Sequence, residues 1–129
     1  MAVYFWIGIG GVVGSLLRYG VSILTLELLN RGFPYGTLIV NLIGSFLLGW
    51  FTTNILQKNK ISRHFSLAIG TGLIGSFTTF STLSNEVLTL IQNGLITEMV
   101  IYILVSLIGG LFLAFIGLSL GNHKEGKPI

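Results

Sequence analysis

A chain of 129 residues with 52% hydrophobic residues, a mean hydropathy of +0.88 and only 9% charged residues cannot clothe a water-soluble surface; soluble domains carry roughly 25% charged residues. It reads as an integral membrane protein. The lack of cysteine excludes disulfides and thiolate metal sites, and the net charge of +3 does not point to nucleic acid, because the basic residues sit at segment ends, the ordinary topology signal.

A helix needs about 20 apolar residues to cross a bilayer. Four stretches qualify, at about 3–26, 35–56, 65–91 and 96–120, with a polar tail at 121–129. The runs are continuous, unlike the alternating segments of about 10 residues that build a membrane β-barrel. Residues 1–129 are therefore expected to form a single all-α domain of four transmembrane helices. The first run has no Lys or Arg before it and no clear small-residue cleavage site, unlike a cleaved signal peptide.

In the first span, "GIGGVVGS" (8–15) is superficially like a phosphate loop, but G-x-G-x-x-G from Gly8 needs glycine where Val13 stands. Gly10 and Gly14 form a GxxxG pair, and small residues let helices approach closely in lipid. Arg18 lies about two-thirds along this span. It either snorkels to the interface or attracts anions to a vestibule. The connection "ELLNRGFP" (27–34) carries Gly and Pro turn signals. In the second span, "GTLIVNLIGSF" (36–46) holds Asn41, an amide that is costly against lipid. It serves either as interhelical glue or as a pore lining.

The loop "QKNKISRH" (57–64) is basic. Lys58, Lys60 and Arg63, with Lys124 and Lys127 in the tail, oppose Arg31 alone on the other side. This bias predicts both termini in the cytoplasm. His64 and His123 sit at interfaces and belong to no ligand cluster; Glu27, Glu98 and Glu125 are expected to be solvated.

The third span contains "GSFTTFSTLSNE" (75–86). Six of the nine residues at 76–84 carry hydroxyls, and Gly70, Gly72 and Gly75 precede them. One or two hydroxyls can return to their own helix carbonyls. Six are too many for that account, so the third helix is expected to break in mid-membrane. Freed backbone is tolerated at that depth only inside protein or against a water-filled cavity, where it can hold an ion. Glu86, after the run, is an ionisable group of open role. After the turn "QNGL" (92–95), the fourth span lines Gly110, Ala114, Gly117 and Gly121 along one face. Such small faces argue for a dimer. No nucleophile–base pair, carboxylate dyad or His cluster is present, which points to transport rather than catalysis.

Three stretches, "GGVVGSLLRY" (10–19), "GTLIVNLIGSFLLG" (36–49) and "GLIGSFTTFSTLSNE" (72–86), resemble the Fluc family of fluoride channels, also called CrcB. They fall in order on three spans, and the resemblance covers nearly the whole chain. It implies two subunits lying antiparallel, in dual topology, in a cell membrane, with two fluoride pores along their interface. It also implies a structural sodium ion at the dimer centre, held by the carbonyls of Gly75 and Thr78. The pore asparagine matches Asn41, the first motif phenylalanine Phe80, and the arginine of the first motif Arg18. Tyr102 and Ser106 match positions that line or brace the pore. The physics agrees with these matches. Hydroxyls of Ser81, Thr82 and Ser106 and the Asn41 amide can replace a fluoride's water shell, and the positive edge of Phe80 faces an anion without a full charge.

Two departures matter. The family reads TTFSTF where this chain has Leu83 in the last place, and five basic residues against one is not the balance of a chain that inserts both ways. The expected assembly is therefore an antiparallel homodimer or a heterodimer with an oppositely oriented paralogue. A small multidrug-type proton-coupled exporter is the rival transport reading, with Glu86 its only embedded carboxylate. A non-transporting scaffold accounts for the glycine faces but not for the hydroxyls.

Overall fold

The computed structural model describes residues 2–29 and 32–122. Among the described residues there are helices and turns and no strand. Helix α1 is Ala2–Leu28 and α2 is Tyr35–Leu56, whose last turns (Thr52–Leu56) widen to π geometry. The run α3, residues 63–77, joins Arg63–Leu67, the π segment Ala68–Ile74 and the short turn Gly75–Phe77. Helix α4 is Phe80–Gln92, and α5 is Ile96–Asn122 with a π stretch at Val105–Gly109. Of these, α1, α2 and α5 are each long and apolar enough to cross a membrane. The third predicted span is shared by α3 and α4, two shorter helices joined by two extended residues.

Local chemistry sets the ends. Ser62 is extended and its hydroxyl accepts from Phe65 N–H, capping α3. Thr79 does the same for α4 through Thr82 N–H. Helix α4 ends where Gly94 takes φ +73, a left-handed conformation that glycine adopts without a Cβ penalty. Leu95 N–H then reaches back to Leu90 O at 2.9 Å. At the C-terminal ends of α2 and α5, Lys60 Nζ donates to Asn54 Oδ1 (3.2 Å) and Lys58 Nζ to Gly121 O (3.1 Å). Cations are favoured at such ends by the helix dipole. Arg31, His123, Lys124, Glu125 and Lys127 lie outside the described residues. Gly121 and Asn122, predicted to begin the polar tail, complete α5 instead.

Two crossings bring backbone against backbone. In α1 against α3, a Cβ on Gly10 would strike the Ala68 carbonyl and one on Gly14 the Leu73 carbonyl, while Gly72 faces the Ile7 carbonyl. In α2 against α5, Gly49 meets the Ala114 carbonyl, Gly117 the Phe46 carbonyl and Gly121 the Thr53 side chain. This corrects the use of the small faces as an argument for a dimer. Gly10, Gly14, Gly117 and Gly121 are spent on contacts within one chain, where close approach maximises dispersion in a solvent that offers no hydrophobic drive between helices. The enclosed apolar core is correspondingly thin (Val40, Phe51, Ala68, Ile74, Phe77, Leu90 and Tyr102), and most Leu, Ile and Phe side chains face outward.

Candidate functional site

The site is built around the two extended residues between α3 and α4. Thr78 has φ −80, ψ 159 and Thr79 has φ −152, ψ 126. In an unbroken helix Thr79 N–H would donate to Gly75 O, and Thr82 N–H to Thr78 O. Here Thr79 N–H donates to Asn41 Oδ1 at 2.8 Å, and Thr82 N–H donates to Thr79 Oγ1 at 3.2 Å. The carbonyls of Gly75 and Thr78 thus lose their helical donors. Gly75 O accepts only the Thr78 hydroxyl at 3.3 Å among the bonds described.

Asn41 holds this conformation. Its Nδ2 donates to Thr79 O at 2.9 Å while its Oδ1 accepts from Thr79 N–H. One amide side chain therefore pairs with both backbone groups of an extended residue, as a neighbouring strand would. Thr79 is buried, so neither group has water as an alternative. Gly44, on the same face of α2 as Asn41, leaves room for the break. A Cβ there would strike the Thr78 methyl, whose hydroxyl is already committed to the Ile74 and Gly75 carbonyls.

Two cavities open from this point. One of about 290 Å³ is walled by Asn41, Gly44, Ser45, Gly75, Thr78 and Phe80, among others. The other, about 530 Å³, is walled by Asn41, Phe80, Leu83, Ser84, Ser106 and neighbouring apolar side chains. Phe80 and Asn41 line both. The Phe80 ring is 81% exposed at the first position of α4. Ser106 Oγ is buried and has no hydrogen-bond partner, although a buried hydroxyl ordinarily has one. A hydroxyl in that state can donate to a ligand entering the cavity.

The structure thus brings Asn41, Phe80, Leu83 and Ser106 together around one cavity, and Gly75 and Thr78 line the other cavity with Asn41 and Phe80. Ser81 and Thr82 are exposed and share hydrogen bonds with the Thr79 hydroxyl at 3.3 and 3.0 Å. Tyr102 stands apart. It is fully buried, and its hydroxyl donates to Glu86 Oε2 at 2.7 Å. Arg18 is half-buried and is not among the residues lining these cavities.

Sequence reasoning missed Thr79 as the anchor of Asn41, and Thr37, whose hydroxyl donates to Glu86 Oε1 at 2.8 Å. A signal existed for the second. Thr37 and Asn41 are four apart, so they share a face of α2 and address the same neighbouring helix.

Apolar helices flanking a hydroxyl-rich interruption, with a buried, unpartnered hydroxyl on a residue that lines a cavity, define a multi-pass membrane protein with polar groups gathered at one place inside it. The family model described as CrcB-like protein, Camphor Resistance (CrcB), matches residues 5–118, and the chain belongs to that family. It is 42% identical over 127 residues to fluoride-specific ion channel FluC 1 of Bacillus cereus (strain ATCC 10987 / NRS 248), covering 98% of this chain and 93% of the relative. It is 45% identical over 123 residues to fluoride-specific ion channel FluC of Thermus thermophilus, covering 95% and 98%. With FluC 1 of Desulfitobacterium hafniense the identity is 47% over 112 residues, covering 87% and 96%.

Proposed function

We propose that this chain is a fluoride channel that lets the ion leave the cytoplasm passively, through a multi-pass domain in the cell membrane. Its relatives are named fluoride-specific ion channels. The observation that carries the assignment to residues is the buried, unpartnered hydroxyl of Ser106, a residue that lines a cavity with Asn41, Phe80 and Leu83. Fluoride is small and strongly hydrated, so its path must supply donors in place of water without a full positive charge to trap it. Ser106 offers one hydroxyl. Ser81 and Thr82 offer others beside the break, and Asn41 has an N–H beyond the one given to Thr79. Phe80 lines the same space, and the edge of an aromatic ring carries partial positive charge that can attract an anion. Leu83 contributes only a wall, and Arg18 a charge in the vestibule. Fluoride efflux from liposomes tests this reading.

A sodium ion fits the break. Hard cations take oxygen ligands, and the carbonyls of Gly75 and Thr78 are oxygens that have lost their helical donors beside a cavity. Two carbonyls from one chain are a partial ligand set, which a second, antiparallel subunit would complete. Bound there, sodium would neutralise the carbonyl dipoles of the break and favour the dimer.

The second subunit is either another copy or a paralogue of opposite orientation. The imbalance of Lys and Arg between the two sides favours the paralogue. Topology mapping of the chain expressed alone is expected to give one orientation, with both termini in the cytoplasm. A mixture of both orientations that assembles and conducts fluoride unaided would remove this idea. The proton-coupled exporter has little to work with: both oxygens of Glu86, its one candidate carboxylate, are engaged by Thr37 and Tyr102.

A further inference from the structure

Among the described residues, Ser106 Oγ is the one buried side-chain polar atom without a hydrogen-bond partner. Its setting in α5 is unusual. Ser22, Ser45, Ser84, Thr89 and Ser119 lie on regular helical turns, and each hydroxyl donates to the carbonyl four residues back at 2.8–3.0 Å. Ser106 lies instead at the second place of the π stretch Val105–Gly109. Thr53 holds the same place in the π stretch Thr52–Leu56 of α2, and its hydroxyl keeps only long bonds, at 3.2 and 3.4 Å. Thr52, the first residue of that stretch, still looks back over regular turns and bonds Leu48 O at 2.7 Å.

The geometry accounts for this. A π turn closes five residues along rather than four, so it takes in one residue more than an α turn. The side chain on it no longer stands in line with the carbonyl four places back. For Ser106 that carbonyl is Tyr102 O, which accepts the Val105 N–H. Glycines give the wider turn room beside α2. A Cβ on Gly109 would come to 3.0 Å from Leu42 Cδ2, and one on Gly110 to 3.5 Å from Ser45 Oγ.

Packing fixes α5 on either side of the stretch. Before it, Tyr102 is fully buried and its hydroxyl is bonded to Glu86. After it, Gly117 and Gly121 lie against the Phe46 carbonyl and the Thr53 side chain. Leu107 and Ile108, inside the stretch, are exposed. The extra residue therefore serves no side-chain packing of its own within the chain, and its visible consequence is the free hydroxyl of Ser106.

We propose that the π stretch of α5 is a positioning device for the pore: its extra residue takes the Ser106 hydroxyl off the Tyr102 carbonyl and keeps it free to donate to an anion in the cavity that Asn41 and Phe80 also line. A hydroxyl already bonded to its own helix would have to give up that bond to take the ion, whereas a free one is ready for it. The proposal rests on the fluoride-channel reading and adds to it the backbone feature that makes Ser106 available.

Removing one residue tests it. Deletion of Ile108 lets the stretch close as regular α-helix with Tyr102 and Gly117 still in place. Deletion of Leu111, outside the stretch, is the control: it turns Gly117 and Gly121 off α2 by about 100°. The full chain and its variants are purified for melting temperature and reconstituted in liposomes for fluoride efflux. Deletion of Ile108 is expected to keep the parent's melting temperature and to lower efflux about tenfold, the size of one lost hydrogen bond to an anion. Deletion of Leu111 is expected to destabilise the chain severely. Ser106→Ala is expected to lower efflux about as much as deletion of Ile108, and the two together no further, because both remove the same donor. Parent-like efflux after deletion of Ile108 would overturn the proposal. So would losses that multiply to about a hundredfold in the combined variant. A deletion of Ile108 as destabilising as that of Leu111 would overturn it too, by showing that the stretch holds no extra residue. No fluoride efflux from the parent would overturn the channel reading instead, an outcome distinct from failure of the positioning device.

Discussion

Asn41→Ala is expected to lower fluoride efflux about a hundredfold and to lower the thermal stability of the purified chain at the same time. The reason lies in what the amide pairs with. Its two hydrogen bonds satisfy the N–H and C=O of Thr79, a residue only 8% exposed. Removing the amide leaves two backbone groups unpaired, at about 1–3 kcal/mol each. Each 1.4 kcal/mol or so is a factor of ten in the population able to conduct, which gives the size of the loss. The paired effect separates two roles. If Asn41 acted only as a donor to the anion, flux would fall and stability would not. Asn41→Asp keeps the acceptor for Thr79 N–H but sets an oxygen against the Thr79 carbonyl, so it too is expected to lose both properties. Efflux and melting temperature within error of the parent in Asn41→Ala would show that the break stands without its clamp.

Phe80→Ile is expected to abolish measurable fluoride efflux while leaving stability nearly unchanged. The Phe80 ring is 81% exposed in the single chain, so little packing is lost on its removal. It is nevertheless one of two residues, with Asn41, that line both cavities at the break. Isoleucine keeps bulk and removes the aromatic edge, the one feature of this side chain that attracts an anion. A drop of about a hundredfold or more corresponds to at least about 2.7 kcal/mol of lost stabilisation along the path. Flux retained in Phe80→Ile would move the pore away from this ring. Leu83→Phe makes the reciprocal comparison, since it restores the second aromatic of the family motif beside the Ser106 cavity.

The periodicity-free apolar runs and their basic flanks were enough to read a helical membrane protein from the sequence, because hydropathy is a local property. The hydroxyl run at 76–84 stood out for the same reason, but three of its six hydroxyls (Ser76, Thr78 and Ser84) do return to carbonyls of their own helices, and Thr79, Ser81 and Thr82 bond to one another at the extended residues. Partners were not legible. Asn41 and Thr79 lie 38 positions apart, and Thr37 and Glu86 lie 49 apart. No local pattern says which amide will meet which backbone. The glycines show the same limit from the other side. Their small size was evident, but whether Gly117 would meet a second subunit or the Phe46 carbonyl of its own chain depends on helix crossings that composition does not encode. Phe33 was read only as part of a turn, and it packs against Tyr35 and Tyr102 as a core aromatic does.

The central claim is that the chain passes fluoride passively. Its most direct test is efflux from liposomes loaded with potassium fluoride, read with a fluoride electrode, with the chain reconstituted alone and together with a candidate paralogue. The expected result is rapid fluoride release once a potassium ionophore relieves the charge, with no need for a proton gradient and no comparable release of chloride. Release that requires a proton gradient, or no release in either preparation, would contradict the account.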